Sequence, residues 1–122
     1  PVVSLADVTS AMEETAKIFC HDDLLEYITG IVEMTRESAG VVLGASPRAA
    51  LSLLMVAKGF AVIHGRNYVL PDDIKKATVP VLSHRLILTN SEMLKKDSAR
   101  RILTEILSRV PVPTETVFDG RK

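Results

Sequence analysis

The residues best suited to chemistry stand in the run Gly44-Ala45-Ser46-Pro47-Arg48. Ser46 is of the N-cap type, since its hydroxyl can accept a bond from an otherwise unpaired N–H of a first helical turn. Pro47 then falls at the first helical position, where its missing N–H costs nothing. Arg48 follows inside the first turn, against the helix dipole by about 0.3–1 kcal/mol. Three arrangements offset that placement: a nearby carboxylate, an anion arriving from outside, or a guanidinium that bends back into water. A helix start beside an arginine suits a phosphate, because free N–H groups, dipole and forked cation all favour negative charge. At Pro71-Asp72-Asp73 both acids obey the dipole rule. Arg100 and Arg101 break it again at the start of the last helix, so charge placement alone does not decide the role of Arg48.

Other constellations carry less. Cys20-His21-Asp22-Asp23 offers metal-type side chains in a row, but adjacent residues at a helix start do not converge on one ion and no second pair accompanies them. No metal site is expected there. His84-Arg85 follows a helix and faces either solvent or another domain or subunit. His64 and Arg66 flank a helix C-terminus, where cations suit the dipole, and read as structural. Tyr68 reads as a packing residue with its hydroxyl towards water. Nothing groups Ser, His and Asp, or Cys and His, into a nucleophilic arrangement. The chain holds no Gly-x-x-x-x-Gly-Lys-[Ser/Thr] loop and no apolar strand ending in Asp-Glu.

Fifteen basic and fifteen acidic residues cancel, which speaks against nucleic acid and against an anionic membrane surface as partners. No apolar run approaches the roughly 18 residues of a membrane span. No basic-plus-apolar leader is present, so a cytoplasmic location is expected. Cys20 is the one cysteine, which excludes an internal disulfide. Tryptophan is absent and aromatics make up 4% of the chain, so Leu, Val, Ile and Ala must build the core. A start at Pro1 instead of Met reads as a piece of a longer or processed protein.

The positioning elements follow from periodicity. A first helix is expected over residues 5–17, with Ser4 and Asp7 as a capping box, Val3 and Val8 as a staple, and Leu5, Val8, Met12 and Ala16 on one face. Asp22 or Asp23 caps a second helix to residue 38, with Leu24, Leu25, Ile28, Ile31, Val32 and Thr35 as its stripe. Residues 39–45 read as a loop. A third helix, residues 47–64, is apolar almost all round and reads as the central core helix, ended by Gly65. A fourth covers residues 71–82, with Ile74, Ala77, Val81 and Leu82 inward and Pro80 distorting its last turn. Residues 89–96 read as a polar loop. The last helix runs from residue 97 or 98 to 109 and is stopped by Pro111-Val112-Pro113. The fold class expected is all-α, a bundle of about five helices with at most two very short strands, at residues 68–69 and 85–88. Residues 1–113 form the domain, and 114–122 a flexible tail.

Four stretches together resemble one family: Gly44-Ala45-Ser46-Pro47-Arg48-Ala49, Gly65-Arg66-Asn67-Tyr68-Val69, Pro71-Asp72-Asp73-Ile74-Lys75 and Val81-Leu82-Ser83-His84-Arg85-Leu86. In this order and spacing they are similar to the C-terminal lid domain of MoxR-family AAA+ ATPases, over about residues 2–113. The resemblance implies that Arg48 is the second sensor, reaching from the lid to nucleotide phosphates held by a core domain. It implies Arg48, Ser46 and Pro47 as the nucleotide-facing residues, and ATP with Mg as cofactors held mainly by that core. It further implies a ring of six subunits, chaperone-like maturation of protein complexes, and partners of the von Willebrand factor A type. One departure is visible. The family carries Thr or Ser before Pro-Asp-Asp, where this chain has Leu70; losing that cap oxygen costs about 1 kcal/mol, which Asp73 can offset by accepting the Leu70 N–H.

Two readings compete with the lid: a stand-alone helical DNA-binding or histone-like domain, which zero net charge and an apolar third helix oppose, and a protein-interaction adaptor. Phosphoryl transfer needs a backbone cradle, a metal and a positioned nucleophile, of which the isolated chain offers none. The intact parent is expected to hydrolyse ATP; this chain alone is not. Adding ATP or ADP with magnesium to the isolated chain should therefore leave its melting temperature nearly unchanged, since stabilisation follows affinity. A large upward shift in a thermal melt would overturn that expectation.

Overall fold

The computed structural model describes residues 2–114 and 118–119. Among them the elements run α1 Leu5–Ala16, α2 Asp22–Glu37, β1 Val41–Leu43, α3 Pro47–Ile63, α4 Pro71–Leu82, β2 Ile87–Leu88, α5 Asn90–Met93 and α6 Ser98–Arg109. The fold is all-α, as the helical periodicity implies, with one small ribbon. No helix among the described residues is long and apolar enough to cross a membrane.

Helices α3 and α4 share the most extensive contact, with α1 and α2 also against α3, and α6 against α2 and α4. Leu24, Ile31, Leu53, Ile74, Leu82 and Leu103 meet in the centre, fully removed from water. Ala49, Ala57 and Ala61 keep one face of α3 thin, so its neighbours pack close. The opposite face is uncovered: Leu51 is 65% exposed and Ile63 77%. Helix α3 is therefore central on one side only, a correction to the fully surrounded helix that its composition implied.

The local signals place most helix ends. Ser4 and Asp7 exchange the two bonds of a capping box, at 3.2 and 3.1 Å. No residue of α1 is buried, however, and Leu5, Val8 and Met12 stand in solvent. Helix α2 is capped by neither Asp22 nor Asp23. The His21 Nδ1 accepts the Asp23 N–H at 3.0 Å, which leaves both acids in the first turn, where the dipole favours them. Leu25 lies outside the α2 stripe, one residue and hence about 100° round from Leu24, and Tyr27 takes an inward position instead. Gly65 adopts φ 71° and ends α3, with its N–H on the Val62 carbonyl and that of Arg66 on the Ala61 carbonyl. Helix α4 continues through Pro80 to Leu82.

Three connections differ from expectation. The stretch read as a loop at residues 39–45 contains β1, which pairs antiparallel with β2, Val41 opposite Leu88 and Leu43 opposite Ile87. A three-residue strand has too little alternation to announce itself and exists because its partner arrives much later in the chain. The expected strand at residues 68–69 amounts to one parallel bridge between Phe19 and Tyr68. The polar stretch at residues 89–96 contains the short α5, capped by the Thr89 hydroxyl. The tail at residues 114–122 lies mostly outside the described residues; of its described part, Phe118 is half-buried with its ring nearly perpendicular to that of His21.

One ion pair fixes how α3 turns into α4. The Arg66 guanidinium donates to both oxygens of Asp73, at 2.7 and 2.8 Å, and to the Tyr68 carbonyl at 3.0 Å. Asp73 also accepts the Leu70 N–H at 2.8 Å, replacing the cap oxygen that Leu70 lacks. Burial alone would raise the Asp73 pKa, but the Arg66 and Leu70 hydrogen bonds and the Arg66 charge outweigh it and hold the carboxyl below its ordinary value. A carboxyl depressed on folding stabilises the native state above its unfolded pKa, near 4, and that contribution disappears as pH falls through the folded value. Arg66→Ala leaves a buried carboxylate alone and should lower the unfolding free energy by roughly 3 kcal/mol at pH 7. Urea titrations at pH 7 and pH 3 test this: the loss should shrink at the lower pH, and a pH-independent loss contradicts the assignment.

Candidate functional site

The candidate site is built where β1 runs into α3. Gly44 lies against the backbone of α2: a Cβ there would stand 2.7 Å from the Arg36 nitrogen and 2.8 Å from its Cα. Only glycine permits that approach. The next residue, Ala45, is buried and bonded at both ends. Its N–H donates to Thr35 Oγ1 at 2.9 Å and its carbonyl accepts from Arg36 Nε at 3.2 Å. Thr35 is itself fully buried and donates to the Val32 carbonyl, so the anchor cannot swing. Ser46 then caps α3, its Oγ accepting the Ala49 N–H at 3.3 Å, and Pro47 opens the first turn. Each residue before Arg48 thus fixes the place of the helix start.

Arg48 is exposed and makes no hydrogen bond or ion pair with any described residue. It borders an open groove of about 520 Å³ between the first half of α3 and the end of α4. Leu51, Met55, Val56 and Pro80 supply an apolar floor, and His84 and Arg85 stand on the far side. Among the described residues no carboxylate lines the groove. Arg85 donates from Nη2 to the Ser52 hydroxyl at 3.3 Å. The pairing of β1 with β2 explains the juxtaposition: Arg48 lies five residues beyond the end of β1, and Arg85 two before the start of β2. Sequence reasoning singled out both arginines but did not bring them together, because the three-residue strand that does so was unread.

The residues fit an anion better than a metal. A phosphate needs N–H donors and positive charge without competing carboxylates, which the groove provides. Magnesium needs carboxylate oxygens, and no group of three or more His, Cys, Asp or Glu positioned for a metal occurs among the described residues. At Cys20 burial pushes the thiol up to about 11, so it stays protonated at neutral pH, and the His21 Nδ1 is engaged in capping α2. Arg66 is committed to Asp73, His64 Nδ1 lies 2.8 Å from the Phe60 carbonyl, and the half-buried Tyr68 ring faces the Arg66 guanidinium. Arg101 pairs with Glu92, whose carboxyl, against the effect of desolvation, is lowered by Arg101 and Lys95.

Comparison with known proteins adds a family. The AAA lid domain model matches residues 33–106. YeaC of Bacillus subtilis, an uncharacterised protein, is 36% identical over 115 residues, covering 94% of this chain and 36% of its own. Chaperone MoxR1 of Mycobacterium tuberculosis is 31% identical over 121 residues, covering 92% of this chain and 32% of its own. A crystal structure of a proposed ATPase from Cytophaga hutchinsonii superposes with a TM-score of 0.78 at 35% identity, over 84% of this chain and 34% of that one. The chain spans about a third of the length of the relatives it matches.

The anchoring of the Gly44–Ala45 turn makes a stability prediction independent of any ligand. Gly44→Ala drives a methyl into α2 backbone that has no room to yield and should cost about 2 kcal/mol or more. Gly59→Ala, where an added methyl meets nothing, should be neutral or slightly stabilising. Urea midpoints of the two variants check the contrast; equal midpoints contradict the close approach.

Proposed function

The chain belongs to the AAA lid domain family, and on that premise we propose that it serves as the C-terminal lid of a MoxR-type AAA+ ATPase, with Arg48 as its second sensor. The observation that carries this reading is the guanidinium at an anchored helix start, without a partner among the described residues and bordering a groove in which none of them places a carboxylate. The nucleotide, with its magnesium held mainly by a core domain, supplies the phosphoryl group that is transferred. Arg48 donates hydrogen bonds to the terminal phosphate oxygens and stabilises the charge that develops on them. Ser46 and Pro47 keep that arginine in register and leave the Arg48 N–H directed at the same anion.

The uncovered apolar residues support the same reading. Leu5 and Met12 of α1 and Leu51 and Ile63 of α3 form more apolar surface than a single helical domain needs to expose. A core domain of the same polypeptide is the occupant we assign to it. Loss of the terminal phosphate removes the bond to Arg48, and the lid, held rigid by the Arg66–Asp73 pair, turns as one body. We further propose that six such subunits form a ring in the cytoplasm, and that the ring acts as a chaperone-like maturation factor for protein complexes. Partners with von Willebrand factor A-type domains fit that role through family resemblance.

Arg48→Ala in the complete ATPase should slow ATP hydrolysis by at least about tenfold, because an interaction made most strongly in transfer is removed. Steady-state turnover with a matched melting temperature is the measurement. Unchanged turnover would remove Arg48 from the mechanism and the second-sensor reading with it.

A further inference from the structure

Arg85 shares the groove of Arg48, and nothing in the second-sensor reading accounts for it. Among the described arginines, Arg36, Arg66, Arg101 and Arg109 are bonded to carbonyl or carboxylate oxygens of their own chain. Arg48 and Arg85 meet no carboxylate among the described residues, although both lie in one groove. Arg100 has none either, but lies on α6, outside that groove. The Arg85 guanidinium rests on the hydroxyl of Ser52, which follows Arg48 by four residues on α3. That spacing is about one helical turn, roughly 6 Å along the axis and on the same face. The Ser52 bond engages one nitrogen and restrains the side chain, leaving the other N–H groups to an outside acceptor.

We propose that Arg85 is a second anion-binding residue of the same site, reading the phosphate chain of a nucleoside triphosphate beside the phosphate that Arg48 meets. The inference rests on the second-sensor reading of Arg48 and extends it. With Arg85 held by Ser52 and Arg48 without a partner among the described residues, the two guanidinium groups can grip adjacent phosphates from one side of the groove, each by charge-assisted hydrogen bonds. The apolar floor of Leu51, Met55, Val56 and Pro80 suits the sugar and base end of such a ligand better than an acidic protein surface, which would leave that floor uncovered. The β1–β2 pairing fixes the separation of the two cation-bearing turns, so they move with the lid together.

The test uses the complete ATPase and a fluorescent, non-hydrolysable ATP analogue, with AMP as competitor. Arg85→Ala should weaken the triphosphate by about tenfold, the loss expected for one charged hydrogen-bonding group, and leave AMP unaffected. Arg85→Lys keeps the charge without the fork and should weaken the triphosphate by a few-fold; it decides the matter if Arg85→Ala does not fold. The Arg48→Ala, Arg85→Ala double variant should lose less than the product of the single losses, because both groups grip one phosphate chain. Equal weakening of AMP and triphosphate overturns the proposal. So does unchanged affinity, including the case in which Arg85→Ala alters only ring assembly by sedimentation and so marks a subunit contact. If Arg48→Ala slows turnover while Arg85→Ala binds normally, the inference about Arg85 fails alone. If Arg48→Ala turns over normally, the reading beneath it fails.

Discussion

The backbone of α2 passes so close to Gly44 that one methyl group would strike it, and the position of Arg48 follows from that contact. Glycine allows the approach, and the Thr35 hydroxyl and Arg36 guanidinium then hold both polar groups of Ala45. With these satisfied, the chain leaves α2 in one direction only. Ser46 and Pro47 convert that direction into the start of a helix. An arginine placed there stands on an anchored helix start, which suits the sensor role proposed for it, since preorganised donors do not need to rearrange when an anion's charge changes.

The other end of α3 is held by different means. Gly65 turns the chain in the left-handed conformation, and Arg66 reaches forward to the buried carboxylate of Asp73. Between the two anchors α3 is a rod whose thin alanine face is packed and whose opposite face is open. Packed contacts link α3 directly to α4, and α4 to α6. The uncovered faces of α1 and α3 are the surfaces on which the proposed core domain would seat.

Local chemistry was legible in the sequence. Ser4 with Asp7, Ser46, Pro47, Gly65 and the service of Asp73 to the Leu70 N–H could all be read from residue type and spacing, because each acts within a few positions. Partners distant in sequence were not. The β1–β2 pair joins residues 41–43 to 87–88, and neither strand is long enough to show alternation. The Arg66–Asp73 pair joins two residues that were each assigned a separate local role. The open face of α3 was misjudged for a related reason: periodicity reports which side chains share a face, as it does for α1, and not whether anything covers it. His21 as the α2 cap was missed because two better capping residues follow it. Family resemblance supplied what periodicity could not, a candidate partner for Arg48: the phosphate proposed above.

The account stands on where the Arg48 guanidinium goes when the rest of the ATPase and its nucleotide are present. A crystal or cryo-microscopy structure of the complete protein with a non-hydrolysable ATP analogue measures this directly. The account predicts guanidinium nitrogens of Arg48 within about 2.7–2.9 Å of terminal phosphate oxygens, the range of a charge-assisted hydrogen bond. A nucleotide-bound structure with Arg48 paired to a core-domain carboxylate, or turned into solvent, would contradict it.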